Sequence, residues 1–404
     1  MLSNQLEFRP GDDASFFAAL PAKPAVFLLR GEDPASEPYV TKTANLRRRL
    51  TRLLGPAEAG TRRLNLRERV RHLEYTETCS DFESGFLLYA VLREAFPKTY
   101  SERLHLRPAL LVKLILENEY PRVAITTRIS SLKGSNIYYG PFPTKAAAEK
   151  FANDSLDFFK VRRCTDDLHP DPAFPGCIYS EMKMCDGPCF KGCSDEAYAA
   201  EVDRVRNYFD SSGRSLVQIL SAERDAASAN LDFENAAALH ARLEKLNAVR
   251  TQVDDIIRPI TALRGLMIQP SDQPESVKLF KIESGMIAEP VLLHLGNRQI
   301  VGDVKSPTSM EARITEALST VPDPHPHSAQ QWMEHLALLK RWYYRTNKTG
   351  EVFFADEKGD LPMRRIVRGV SRVYKGEKAQ PDLTETAREY WILRGKEAES
   401  SQDS

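Results

Sequence analysis

Apolar residues come in short blocks along this chain, and the period changes from block to block. Ala25-Val26-Phe27-Leu28-Leu29 is a continuous apolar run, which fits a buried strand. Gly31 to Pro38 is rich in Gly, Asp, Pro and Ser and reads as a turn. Tyr39-Val40 then opens a second strand. Between Asn45 and Leu54 the apolar residues are Leu46, Leu50, Leu53 and Leu54, spaced for one face of a helix. Leu73 to Thr78 reads as a third strand, and Phe86 to Phe96 as an apolar helix ended by Pro97. The order β-hairpin, helix, strand, helix predicts a compact α/β unit. Residues 1–20 carry no periodic pattern and read as a loose leader.

A second α/β piece follows. Leu110 to Leu116 and Arg122 to Ile129 are strand-like, Tyr138 to Pro143 is a tight segment, and Thr144 to Phe159 is helical. Asp195 to Arg250 predicts a helical hairpin. Val277 to Val301 has strand patterns broken by turns at Ser284-Gly285 and Gly296-Asn297. Three prolines stiffen Val321 to His327 into a linker, Ala329 to Tyr344 reads as a helix, and the tail after Gly395 is polar. No fixed-period repeat is present.

Composition narrows the class. The chain has 404 residues, 42% hydrophobic and 28% charged, enough for about two or three domains with real cores. No stretch reaches the ~18 continuous apolar residues of a membrane span. Met1 to Pro24 lacks a basic segment followed by an apolar run, so no secretory signal is expected and the cytoplasm is the default location. Net charge is zero, with 56 basic and 56 acidic side chains. Placement says more. From Lys42 to Arg71 there are ten basic residues against Glu58 and Glu68, an excess of eight. Such a run is either a solvated helix face or a patch that neutralises phosphates.

Chemistry-bearing residues sit on this framework. After Ala25-Val26-Phe27 comes an eleven-residue gap, then Tyr39-Val40-Thr41-Lys42-Thr43-Ala44-Asn45-Leu46-Arg47-Arg48-Arg49-Leu50. This resembles the GIY-YIG nuclease family in the form found in the UvrC excinuclease family. The resemblance implies tyrosines, a lysine and an arginine around the scissile phosphate, with a helix glutamate holding one divalent ion. It assigns catalytic roles to Tyr39, Lys42 and Arg49, and DNA contact to Arg47, Arg48 and Arg52. Cations there stabilise charge developing on phosphate, and a phenol assists proton transfer. Four positions depart from the pattern: Ala25 replaces a glycine, Phe27 a tyrosine, Thr41 a second glycine, and Tyr89 the metal-binding glutamate. Glu83 and Glu94 point roughly 120° and 140° away from Tyr89 on a helix, so neither substitutes. Mg²⁺ or Mn²⁺ is therefore expected only if the nuclease site is active.

Two further segments carry the same resemblance. Tyr120-Pro121-Arg122 and Tyr139-Gly140-Pro141-Phe142-Pro143 resemble UvrC phrases and read as packing, with Gly140 and the prolines fixing a turn. Cys164, Cys177, Cys185 and Cys189, with Cys193 beyond, are clustered as metal ligands or plain thiols can be. By resemblance the expectation is an iron–sulfur (4Fe-4S) cluster, with zinc second.

Asn230-Leu231-Asp232-Phe233-Glu234-Asn235-Ala236-Ala237 resembles the UVR motif shared by the UvrB and UvrC excinuclease proteins. It implies partner contacts at Leu231, Phe233, Glu234, Ala236, Ala237 and Leu243. Phe233, Ala236, Ala237, Leu243 and Leu246 form an apolar set able to pair with another chain's copy.

The expected fold class is multidomain α/β. Residues 1–20 are a leader, 21–105 a GIY-YIG-like module and 106–194 a linker module with the cysteines. Residues 195–255 are helical with the UVR motif, 256–321 resemble the start of the UvrC C-terminal half, and 328–395 form a domain of unknown role. The resemblance covers about residues 20–320. It implies nucleotide-excision repair within an SOS response: binding of damaged double-stranded DNA, incision of it now or formerly, and a UvrB-like excinuclease partner, away from membranes. A non-catalytic DNA- or partner-binding adaptor is the alternative, separated from the first by Phe27 and Tyr89.

Overall fold

The structure, a computed structural model, describes residues 2–11, 13–33, 35–56, 64–296 and 309–378. Arg62, Arg63, Asn297, the Gln299-Ile300-Val301-Gly302 phrase and the tail after Gly395 lie outside the described residues. Those described are mixed α/β, with twelve α-helices and three sheets.

The first sheet is built by β1 (Asn4–Glu7), α1 (Asp13–Ala19), β2 (Ala25–Arg30), β3 (Tyr39–Thr43), α2 (Leu46–Leu54), β4 (His72–Glu77), α3 (Asp81–Ala95) and α4 (Tyr100–Leu104). Its strand order is β1-β4-β2-β3, all antiparallel. Phe27 stands opposite Thr41, and Val26 opposite Lys42. Ala25, Phe27 and Leu29 face α2, against Leu46, Leu50, Leu53 and Leu54. Val26 and Leu28 face Val91 of α3. Helices on both sides explain why β2 is an unbroken apolar run. Asn45 caps α2 by accepting from the Arg48 N–H, and Ser80 caps α3 by accepting from the Glu83 N–H.

The first twenty residues differ from the expected leader. β1 pairs with β4, and Phe8 and Leu20 are fully buried. An edge strand of four mostly exposed residues is too short to leave a period in the sequence.

The second sheet comprises β5 (Leu110–Ile115), β6 (Arg122–Thr126), β7 (Ile137–Phe142) and β8 (Arg258–Pro259), in the order β6-β5-β7-β8. Between β7 and β8 run α5 (Lys145–Leu156), α6 (Ile178–Glu181), α7 (Asp195–Asp210), α8 (Arg214–Ala229) and α9 (Phe233–Thr251). Tyr139, Phe142, Phe159, Tyr198, Val205 and Phe209 share one core. Gly140 lies inside β7 rather than in a turn, at φ 146°, where a Cβ would come 2.8 Å from Leu111 Cδ2.

The third sheet comprises β9 (Gly265–Pro270), β10 (Ser276–Glu283), β11 (Met286–Ile287), β12 (Val291–His294) and, later, β13 (Glu351–Phe354). Its order is β11-β10-β9-β13, with β12 also on β10. Three helices complete it: α10 (Met310–Ser319), α11 (Ala329–Tyr343) and α12 (Met363–Lys375). Leu266, Ile268, Val277 and Leu279 pack on Ile366 and Val370 of α12. On the other face Met267, Phe280 and Ile282 meet Trp332, Leu336 and Leu339 of α11. Phe82, Phe86 and Tyr89 of α3 join that same core, so α3 is shared by the first and third sheets. No helix among the described residues is long and apolar enough to cross a membrane.

Candidate functional site

Strand alternation sorts the motif residues. Tyr39, Thr41 and Thr43 pair with Leu29, Phe27 and Ala25, the α2 side of the sheet, whereas Lys42 pairs with Val26, the α3 side. Tyr39 and Arg49 meet: Arg49 Nη2 donates to the Tyr39 hydroxyl at 2.8 Å. Phe27 is fully buried, its ring centroid 6.2 Å from that of Tyr39, and offers no polar atom. Lys42 turns instead to the start of α3, where its Nζ lies 2.8 Å from Asp81 Oδ1. Arg345, just beyond α11, binds the other Asp81 oxygen. Partial burial works to raise the Asp81 carboxyl, but Lys42 and the two arginines Arg345 and Arg341 outweigh it and hold it below its ordinary value. The recess beside these charges, walled by Gly85, Leu338 and Trp342, measures about 40 Å³. That is room for about two or three waters, far less than a nucleotide needs.

Tyr89, at the position of the expected metal carboxylate, is 2% exposed. Its hydroxyl donates to Glu334 of α11 at 2.9 Å and accepts from Arg93 Nη1 at 3.1 Å. Tyr100 donates to the same carboxylate at 2.9 Å. Burial, then the charge of Glu334, pushes the Tyr89 phenol well above its ordinary value. A neutral phenol engaged on both sides does not fit a hard divalent ion, which takes charged or carbonyl oxygens. Nor does Glu83 supply the lost carboxylate: its two oxygens accept from the Cys79 N–H at 2.8 Å and from Lys278 Nζ at 2.6 Å.

The basic run is divided between structure and solvent. Arg47 donates to the carbonyls of Leu20, at 2.7 Å, and Ala18. Arg67 is tied to Asp13 and to the Leu54 carbonyl. Arg48 and Arg52 are exposed on α2. Part of the apparent patch therefore holds the unit together, and α2 presents Arg48 and Arg52 to solvent.

The cysteine expectation is corrected. Among the described residues, no group of three or more His, Cys, Asp or Glu side chains is placed to hold a metal ion. All of Cys164, Cys177, Cys185, Cys189 and Cys193 are free thiols. They are neighbours: Cys185 is pushed up to about 11, first by burial and then by the nearness of Cys164, Cys189 and Cys177. Neighbourhood alone does not make a site, because metal ligands must converge on one centre as thiolates. These cysteines serve locally instead. Cys185 Sγ accepts from the Gly187 N–H at 3.4 Å, the Cys177 backbone N–H and carbonyl bond the Ser180 hydroxyl at the start of α6, and Cys193 packs on the second core. The 4Fe-4S cluster and its zinc substitute are both withdrawn. Clustering was legible in the sequence, and convergence was not.

The α8–α9 hairpin splits its apolar set. Leu231 and Phe233 at the tip are 73% and 65% exposed. Glu234 and Ala237 are exposed and Ala236 is half-buried. Leu243 and Leu246 are spent inside the second core, against Tyr208 and Phe209. Asp232 caps α9 through the Asn235 N–H at 3.3 Å. The tip thus offers two large apolar side chains on a fixed turn, and Leu243 is not among them.

Comparison with known proteins bears on the middle of the chain. Residues 109–208 match the family model described as UvrC/Cho excinuclease, middle domain. That stretch includes β5, β6, β7, α5 and every clustered cysteine. The chain is similar to the UvrABC system protein C of Aliivibrio fischeri, 25% identical over 242 residues. It is 28% identical over 241 residues to that of Ectopseudomonas mendocina, and 28% over 242 residues to that of Pseudomonas putida. Each match covers 60% of this chain and 39% of the relative. No solved structure matches. Residues 109–208 are thus similar to the UvrC/Cho middle domain, and the chain is related to the UvrC excinucleases over about 60% of its length while spanning 39% of theirs.

Proposed function

We propose that this chain is a UvrC-like nucleotide-excision-repair protein of the cytoplasm that binds damaged duplex DNA and a UvrB-like excinuclease partner, and that it no longer incises. It is the adaptor alternative rather than the nuclease. The carrying observation is Tyr89, which stands where the family's metal carboxylate is expected and is built into the core against Glu334 and Arg93. Two observations agree with it. Phe27 has no hydroxyl to pass a proton, and Lys42, in a narrow recess walled by Asp81, Arg341 and Trp342, is paired with Asp81, which Arg345 also binds. What remains on the DNA side is electrostatic: Arg48 and Arg52 are exposed, where they can meet phosphates, and Arg49 is held in place by Tyr39. For the partner, the exposed Leu231 and Phe233 supply an apolar tip of the kind that seats in a groove between helices.

The test is a nicking assay on lesion-containing duplex with Mg²⁺ or Mn²⁺, run beside a gel-shift titration. The expected outcome is a shifted duplex with no nick above background. Metal-dependent nicking that disappears in Lys42→Ala or Arg49→Ala would overturn the adaptor reading.

A further inference from the structure

The last helix, α12, carries Met363-Arg364-Arg365-Ile366-Val367-Arg368-Gly369-Val370-Ser371-Arg372-Val373-Tyr374-Lys375. Five cations and no acid occur in these thirteen residues. They are not equivalent. Arg372 grips Glu351 with two bonds of 2.7 Å, and Arg365 lies over the Phe353 ring, 5.7 Å from its centroid. Both hold α12 onto β13. Gly369 lets the helix sit close: a Cβ there would come 2.5 Å from Phe353 Cζ. Ile366, Val370 and Val373 are buried beneath the helix. α12 is therefore fixed about its own axis.

The face turned away from the sheet holds the other three cations. At ~100° per residue, Arg364, Arg368, Ser371 and Lys375 fall within an arc of roughly 60°. All four are exposed, and Tyr374 beside them is 49% exposed. Neither Arg364 nor Arg368 has an ion-pair partner among the described residues; Lys375 has only the exposed Glu377 at 4.0 Å, a pairing that water and salt screen. From Arg364 to Lys375 the stripe is ~16 Å long, against ~3.4 Å of duplex rise per phosphate on one strand.

We infer that α12 is a second nucleic-acid contact surface, in which Arg364, Arg368 and Lys375 bind the phosphodiester backbone while Tyr374 lies against sugar or base. The surface lies outside the matched middle domain and far along the chain from the α2 arginines. An anionic lipid surface shares the phosphate chemistry. It is disfavoured because a helix that lies in a bilayer interface inserts its apolar face, and the apolar face of α12 is already used against β13 and the sheet. Phosphate contact needs only the cations, already fixed in a row.

The experiment uses the full chain and a fluorescent 30-base-pair duplex, with affinity measured across a salt series. Three proteins are compared: wild type, the triple variant Arg364→Gln/Arg368→Gln/Lys375→Gln, and Arg48→Gln/Arg52→Gln in α2. Thermal unfolding confirms that the exposed substitutions leave the fold intact. Each lost phosphate contact removes ~0.9 from the slope of log K against log salt, so the α12 variant should lose about 2 to 3. An unchanged slope in that variant overturns the inference, even if the α2 variant shows a loss and so supports DNA binding by the first unit. Conversely, a reduced slope in the α12 variant upholds it whether or not the wild type nicks DNA. Sedimentation with phosphatidylserine–phosphatidylcholine vesicles supplies the last arm. Vesicle binding that the α12 variant loses, with duplex binding unchanged, assigns the stripe to lipid and overturns the inference.

Discussion

At the scale of single residues, the sequence shows what is missing more readily than what has replaced it. Phe27 and Tyr89 are visible as a lost phenol and a lost carboxylate in a recognisable pattern. The sequence does not say that Tyr89 has gained Glu334, a partner 245 positions away. That gain changes what a restoring substitution would do. Tyr89→Glu would set a second carboxylate against Glu334 in a site that is 2% exposed. Burial and like charge raise such a group above its ordinary value of about 4.3. The raised value means that the protonated form is favoured by folding. The ionisation part of the penalty is therefore absent below about pH 4 and grows as pH rises towards 7, to on the order of 2–3 kcal/mol, added to a pH-independent loss of the ring's packing. Urea unfolding of Tyr89→Glu and wild type at pH 4 and pH 7 measures it. Equal stability at pH 7 would mean that the recess admits a hydrated carboxylate and that Tyr89 is not a core residue. Tyr89→Phe, which loses two hydrogen bonds but no volume, should destabilise by about 1 kcal/mol at both pH values.

Elements were legible where their apolar period is long and local, as in α2, α5, α9 and α11. They were missed where pairing partners are distant, as with β1 and β13, or where an apolar run is short, as with β9. The docking of α11 was invisible, because an amphipathic helix names its buried face but not the surface it meets. His335 sits on that face. It is 4% exposed, its Nδ1 accepts from the Ile287 N–H at 3.0 Å, and the rings of Tyr89 and Phe86 stand edge-on to it. Burial, helped by the Arg93 charge, pushes it down to about 4. Its ordinary value is 6.5, so the unfolded chain takes up a proton first as pH falls. The contribution of neutral His335 is complete above pH 6.5 and is lost as pH drops through the folded value near 4, by roughly 3 kcal/mol. A pH series of chemical denaturation between 7 and 4 should show that loss. His335→Gln keeps an acceptor for Ile287 without titrating, and should flatten this part of the curve. An identical pH dependence in both proteins would remove His335 as its source.

At the scale of the whole molecule, the first and third sheets are joined by groups that sequence order keeps far apart. Lys278 of β10 reaches Glu83 of α3 at 2.6 Å and Asp272 at 2.7 Å, with its own side chain 15% exposed. Burial works to lower the lysine, and the two carboxylates outweigh it and raise it. Lys42, Asp81 and Arg345 form a second, more exposed link between the same two units. From α11, Lys340 reaches the Pro108 carbonyl at 2.9 Å, and just beyond it Tyr344 reaches that of Pro141 at 3.2 Å, tying in the second sheet. No periodicity argument could pair residue 83 with residue 278, and this is why the sequence yields units but not their assembly. The assembly matters for function, because α11 supplies one wall of the recess beside Lys42. Lys278→Met would leave Glu83 and Asp272 facing each other without a cation, a change that costs about 3–5 kcal/mol for a buried charge cluster. Removing the charges together, in Glu83→Gln/Lys278→Met/Asp272→Asn, should cost less, since no ion is then left unpaired. Hydrogen exchange distinguishes a joined molecule from one whose units merely touch. If α3 is a shared wall, Lys278→Met lowers the protection of α3 and β10 amides together, because the two elements open in one cooperative event. Loss confined to α3, with β10 as protected as in wild type, would show that the third sheet stands alone and that the wall of the recess depends on the weaker Asp81 link.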